Sequence, residues 1–306
     1  MSELQHIMTI DERREFVQKA AKSSLRKREF TSKFFLGMMA TALVIAFIPL
    51  FSILQSVISK GAHYLTWGYL SKPQQTPFAF DLANIGGFSN AITGTILVDG
   101  LAVLIAVPIA VLLAVSLYES DGRVMHFLRV TTEVMIGLPS ILLGIFIFTF
   151  VVTPMGYRMT ALAGSLALAI LMVPLIAIAS EAALRDVPDT LKEAALALGA
   201  RKSRVMLRVI LPYAAPRMVT AVMLSTSRAV GETAPVLFVI GASSLTSWNP
   251  MSPVTTLPTM MFTYLQGSNP YIIKSLWGMA LILMIIVFFF NLLARLVVAR
   301  SSKRGL

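Results

Sequence analysis

The 306 residues contain no cysteine, and the only histidines, His6, His63 and His126, lie far apart. Disulfides, thiolate metal sites and a cysteine nucleophile are excluded, and no metal centre is expected from histidines so dispersed. Charge is scarce as well, at 13% of residues against 56% hydrophobic. A mean hydropathy of +0.77 exceeds what a water-soluble domain of this length hides in its core, so the chain is expected to lie in a bilayer. The patterns G-x-x-x-x-G-K-[ST], G-x-S-x-G and H-E-x-x-H are also missing. Their absence argues against nucleotide hydrolysis on a phosphate loop and against an intramembrane hydrolase. Acids are the scarcer charge, 15 Asp and Glu facing 26 Lys and Arg for a net +11. The cations cluster between long apolar runs, which makes them topology signals and leaves no role for nucleic acid.

A hydrocarbon core about 30 Å thick takes about 20 apolar helical residues. By that measure the chain divides into a basic N-terminal segment over 1–33, a first span over 34–59, an outer, periplasmic loop over 60–90, and a core over 91–298. Within the core the expected helices cover 91–118, 134–157, 159–180, 213–240 and 275–294, a long loop occupies 185–212, and a short tail follows over 299–306. The expected fold is therefore all-α and integral to the membrane, with six transmembrane helices. The first apolar run is too long for a signal peptide and lacks a cleavage site, so it is expected to remain as an anchor. Most Lys and Arg fall in the N-terminal segment, at Arg123 and Arg129, in the 185–217 stretch and in the C-terminal flank. Lys60, Lys72, Arg158 and Lys274 fall on the other side, so both termini are expected in the cytoplasm. Thr9 and Glu12 have capping-box spacing, consistent with a surface helix before the first span or with a plain basic flank.

The 185–212 loop carries helix signals in order. Pro188 and Asp189 suit a first turn, Leu191 to Leu198 favours helix, and Gly199 is a natural stop. A second helix is expected from Ala200 to Leu211, ending before Pro212. Two short helices at an angle make a rigid knob. Glu193-Ala194-Ala195, then Gly199, then Val209-Ile210-Leu211-Pro212 resembles the EAA loop of bacterial ABC importer permeases, with Val209 standing where isoleucine is usual. The resemblance implies a type I importer permease fold and a coupling helix that docks on a cytoplasmic ATPase, with Glu193, Ala194, Ala195, Gly199, Leu211 and Pro212 as coupling residues. It also implies that this chain binds no cofactor and that ATP and Mg belong to the partner.

Arg228 follows Pro212 by 16 residues, roughly 24 Å along a helix and so inside the hydrocarbon zone. Such a placement is costly and marks a polar pathway. Glu232 is four residues on, on the same face, while Gly231 and Pro235 weaken the helix and are expected to free backbone N–H groups for an anion. A guanidinium grips two oxygens of a tetrahedral oxyanion, and a nearby carboxylate accepts the proton of hydrogen phosphate but repels sulfate. Alternatively the two charges neutralise each other and only hold helices together. Arg228 to Phe238, RAVGETAPVLF, with Gly137-Leu138-Pro139-Ser140-Ile141 and EAALALGA from Glu193, resembles the PstA family of phosphate transport permeases. That resemblance implies inorganic phosphate as cargo, Arg228, Gly231, Glu232 and Thr233 along its path, and a bacterial or archaeal cytoplasmic membrane. The implied partners are a PstC-like second permease, a PstB-like ATPase dimer and a PstS-like phosphate-binding protein. A permease for another oxyanion or small nutrient, and an ion-coupled carrier or channel, are the competing expectations. Asp99 and Glu133, the other acids in or beside spans, are not expected to touch substrate.

Overall fold

A computed structural model describes residues 10–75, 86–156 and 158–302, with side-chain surroundings for 28–75, 86–156 and 158–296. Thr9, and with it the expected N-terminal cap, and the end of the tail lie outside the described residues. In chain order the helices are α1 Ile10–Gly61, α2 Trp67–Ser71, α3 Ser89–Glu119, α4 Arg123–Gly137, α5 Ser140–Ile147 and α6 Ala161–Arg185. They continue with α7 Asp189–Ala197, α8 Lys202–Val205, α9 Leu211–Val230, α10 Ala234–Leu237, α11 Leu257–Leu265 and α12 Pro270–Ser302. Among the described residues no strand forms beyond one isolated bridge between Gln74 and Gly86. Among the described residues five helical stretches are long and apolar enough to cross a bilayer, and α4 with the stretch from α5 to Val152, bent by 108°, makes a sixth if taken as one.

Residues 1–56 and 57–306 are separate compact units. In the first, the described apolar side chains of α1 are exposed on every side, Phe34, Ile45 and Phe51 among them, as suits a helix whose surroundings are lipid. From Ile10 on, the basic segment is continuous with the first span, since no proline or glycine interrupts α1 between Ile10 and Phe34. In the second unit the centre is the pair α3 and α6. Val98, Ala102, Ala106, Ala110 and Ala114 recur every fourth residue on α3 and are wholly buried. This stripe of small side chains lets two backbones approach closely, the favoured packing where apolar surface gains nothing by leaving water. Ala163, Ala167, Leu168 and Met172 of α6 and Val236 and Ile240 of the α10 region fill the same core.

Several boundaries differ from expectation. The span expected over 134–157 is broken, because Pro139 holds Leu138 extended (φ −71, ψ 138) and the helix restarts in a new direction. The span expected over 213–240 stops at Val230 and resumes only as α10. The fourth span continues past Ser180 to Arg185, since Glu181 finds partners there. The helix expected to end before Pro212 runs through it. A π-helical turn at Met206–Ile210 widens the helix where the proline ring would otherwise strike the carbonyl one turn back. The short helix α11 has no counterpart in the expected set. It starts on a capping box between Thr256 and Thr259, with Pro258 in its first turn.

Candidate functional site

Two regions hold the residues singled out by sequence, one at the end of α9 and one in the loop after α6. At the first, Arg228 sits in the last turn of α9 and Gly231 caps it. The N–H groups of Gly231 and Glu232 close onto the carbonyls of Arg228 and Ala229 at 3.2 and 3.0 Å. These two donors are therefore occupied, contrary to the expectation that the break frees them. Arg228 Nε stands 3.6 Å from Glu232 Oε1, with side-chain exposures of 53% and 20%. That is an ion pair but too long for a hydrogen bond, so the guanidinium keeps its donors for another acceptor. Thr233 is half-buried and precedes α10.

Close backbone packing fixes α10. A side chain at Gly144 on α5 would put its Cβ 2.5 Å from the Pro235 carbonyl oxygen, so only glycine allows the approach. The polar stretch after α10 is tied to α6: Thr160 N–H donates to Val239 O at 3.0 Å, Ala161 N–H to Ser252 O at 3.0 Å and Leu162 N–H to Pro250 O at 2.9 Å. The otherwise orphaned donors of the α6 start are thus satisfied by the loop. One residue before Arg228, Ser227 Oγ and the Asn291 amide exchange hydrogen bonds at 2.9 to 3.0 Å, linking α9 to α12.

The second region presents Glu193 and Ala194 to solvent, with Ala195 half-buried, and leaves Leu198 89% exposed. Gly199 takes φ +78, a conformation costly for any residue with a Cβ, and turns the chain from α7 into α8. Beneath the knob lies a compact apolar cluster of Leu184, Val187, Val205, Met206, Ile210 and Met218, with Leu211 at its edge. Lys192 anchors α7: its ammonium donates to Asp189 at 2.9 Å and lies 4.9 Å from the centroid of the Tyr118 ring. The Tyr118 hydroxyl first, then Asp189, hold the Lys192 pKa above the ordinary lysine value, so it is charged throughout the physiological range.

Near the loop end of α6 lies a further group, which the sequence did not single out. The Glu181 side chain is 4% exposed and accepts from Arg129 at 2.6 Å and Arg185 at 2.8 Å. Both guanidiniums also reach the Leu117 carbonyl near the end of α3, at 3.3 and 3.4 Å, where cations complement the helix dipole. Three helices, α3, α4 and α6, are thereby clamped at the loop end. The i,i+4 spacing of Glu181 and Arg185 was the available signal. Asp99 is buried on α3, and Glu133 is exposed on α4. Among the described residues no group of acids and histidines is arranged to hold a metal.

Residues 106–304 match the model of the family described as "Binding-protein-dependent transport system inner membrane component". The chain is 35% identical over 269 residues to "Phosphate transport system permease protein PstA 1" of Mycobacterium tuberculosis (strain CDC 1551 / Oshkosh), covering 86% of this chain and 87% of the relative. It is 32% identical over 261 residues to the "Probable phosphate transport system permease protein PstA" of Methanocaldococcus jannaschii, covering 85% and 90%. In fold it is similar to a chain of the MetNI methionine ABC transporter in an inward facing conformation, with a TM-score of 0.55, 21% identity and coverage of 69% and 93%. It is also similar to a chain of a bacterial alginate ABC transporter, with a TM-score of 0.62, 17% identity and coverage of 87% and 95%.

Proposed function

The chain belongs to the PstA family of phosphate transport system permease proteins, within the binding-protein-dependent inner membrane components, and from that premise we infer that it conducts inorganic phosphate past Arg228 and Glu232. It is a multi-pass permease subunit of an ABC importer and not itself an enzyme. Such a subunit works with an ATPase and a substrate-binding protein. In the proposed assembly these are a PstB-like ATPase dimer, which uses ATP and Mg, and a PstS-like phosphate-binding protein, with a PstC-like second permease completing the pathway. Both termini and the loop after α6 face the cytoplasm, and the membrane is the bacterial or archaeal cytoplasmic one.

The observation that carries the pathway role is the loose Arg228 and Glu232 pair at the end of α9, 3.6 Å apart and with the guanidinium half exposed. A pair serving only to hold helices would be short and enclosed. Here the guanidinium is available to two oxygens of a passing oxyanion, while the Glu232 carboxylate accepts the proton of hydrogen phosphate and repels sulfate. Gly231 adds no side chain beside them, and Thr233 offers a hydroxyl at the same break. In the loop, Glu193, Ala194 and Ala195 form the docking face, Gly199 sets its angle, and Leu211 and Pro212 begin the helix that leads to Arg228. Closure of the ATPases on ATP moves the loop and rocks the helices to expose the path outward.

The test is labelled phosphate uptake by proteoliposomes holding the whole complex. Uptake requires ATP and the binding protein, and sulfate is excluded. Glu232→Gln removes the repulsion and lowers the phosphate-over-sulfate preference about tenfold, near 1.4 kcal/mol. Sulfate exclusion unchanged in this variant would reject Glu232 as the discriminating group.

A further inference from the structure

A cavity of about 340 Å³ lies between the ends of α3 and α6 and the underside of the loop. Three cations line it, Arg185, Lys192 and Lys202, against the single carboxylate of Glu119. Arg185 is already matched by Glu181, and Lys192 by Asp189. Lys202 pairs with no carboxylate among the described residues, and it is exposed at the cavity rim. The remaining wall is apolar, from Leu196, Met206 and Ile210. A basic rim over an apolar wall at the end of membrane-spanning helices matches an anionic group that carries a carbon substituent.

We propose that this cavity binds a phosphate-bearing anion, supplied by the headgroup of an anionic phospholipid or by free phosphate on the loop side. Lys202 supplies the unpaired charge, Lys192 and Arg185 supply further donors, and Leu196 and Met206 accommodate the ester carbons of a lipid. Lys192 and Leu196 belong to α7, whereas Tyr118 and Arg185 end α3 and α6. An occupant therefore ties the docking helix to the membrane core and stiffens the joint that transmits ATPase movement. The lipid source is independent of the cargo, while the free-phosphate source rests on the phosphate reading above.

The experiment uses the intact complex in phosphatidylcholine nanodiscs with or without phosphatidylglycerol. Native mass spectrometry counts phosphatidylglycerol retained after transfer to detergent. In a second arm, labelled inorganic phosphate is equilibrated with the complex in phosphatidylcholine alone, without ATP or binding protein. Retained phosphatidylglycerol assigns the site to lipid, and phosphate binding that survives Arg228→Gln assigns it to free phosphate. In either case Lys202→Gln weakens binding about tenfold, the worth of one charge-assisted contact, and Lys202→Arg preserves it. Equal binding by wild type and Lys202→Gln in both arms would overturn the proposal. So would loss of the ATPase from the Lys202→Gln complex, which would make Lys202 a docking residue.

Discussion

Gly199 and Gly231 both stop helices in the two candidate regions, yet they do so in different ways. Gly199 has φ +78, and nothing lies within 4 Å of where its Cβ would be. Gly231 has φ −88 and ψ −6, right-handed values open to residues that carry a side chain, and a Cβ there would meet only the Arg228 carbonyl at 3.7 Å. The loop glycine is required by backbone geometry alone, whereas the break glycine is required by neither conformation nor local packing. In the proposed pathway its role is to leave space beside Arg228 and Glu232. The surroundings follow the same division, since the loop rests on a packed apolar cluster and the break leaves the Arg228 guanidinium half exposed.

The largest effect that separates the two regions is expected from Gly199→Val, which forces a β-branched residue into the left-handed region at a cost of at least about 1–2 kcal/mol. The variant inserts in the membrane but fails to retain the ATPase on purification, and uptake is lost. Retention of the ATPase would show that the angle between α7 and α8 does not matter for docking. Next is Glu181→Ala, which leaves Arg129 and Arg185 without their shared carboxylate. Removing one partner of a buried pair costs about 3–5 kcal/mol, but both arginines are partly exposed and solvent offsets much of it. Thermal unfolding of the purified complex is expected to show a loss of about 1–2 kcal/mol, with uptake reduced but phosphate selectivity unchanged. Altered selectivity would move Glu181 from the joint into the pathway. The smallest structural effect belongs to Gly231→Ala, expected within about 0.5 kcal/mol of wild type in stability. Its uptake should nonetheless fall, because a methyl group intrudes on the path; normal uptake would remove Gly231 from the site.

The all-helical membrane fold was legible because lipid leaves the backbone no alternative to internal hydrogen bonding, and apolar runs report length directly. The loop was legible through its helix signals and the fixed spacing from Glu193 to Pro212. Less visible was the sharp turn at Leu138, although Pro139 was in plain view, because proline within a span so often produces only a kink. The capping box of α11 is readable in Thr256, Pro258 and Thr259, but it lies between the expected spans 213–240 and 275–294, where the length of apolar runs gives no signal. Glu181 lies just past Ser180, where the expected span ends, because a charge ordinarily closes an apolar run; a buried acid between two arginines defeats that rule. The availability of Arg228, and the satisfied N–H groups of Gly231 and Glu232, depend on how the chain closes at the end of α9. Periodicity does not encode that closure.

The central claim is that phosphate passes Arg228. Its most direct test is ATP-driven uptake of labelled phosphate by the Arg228→Gln complex, with subunit assembly and ATP hydrolysis measured on the same preparation. Loss of two charge-assisted contacts predicts a fall in uptake of about 100-fold or more, in a complex that assembles and hydrolyses ATP. Wild-type uptake by the assembled variant would contradict the account.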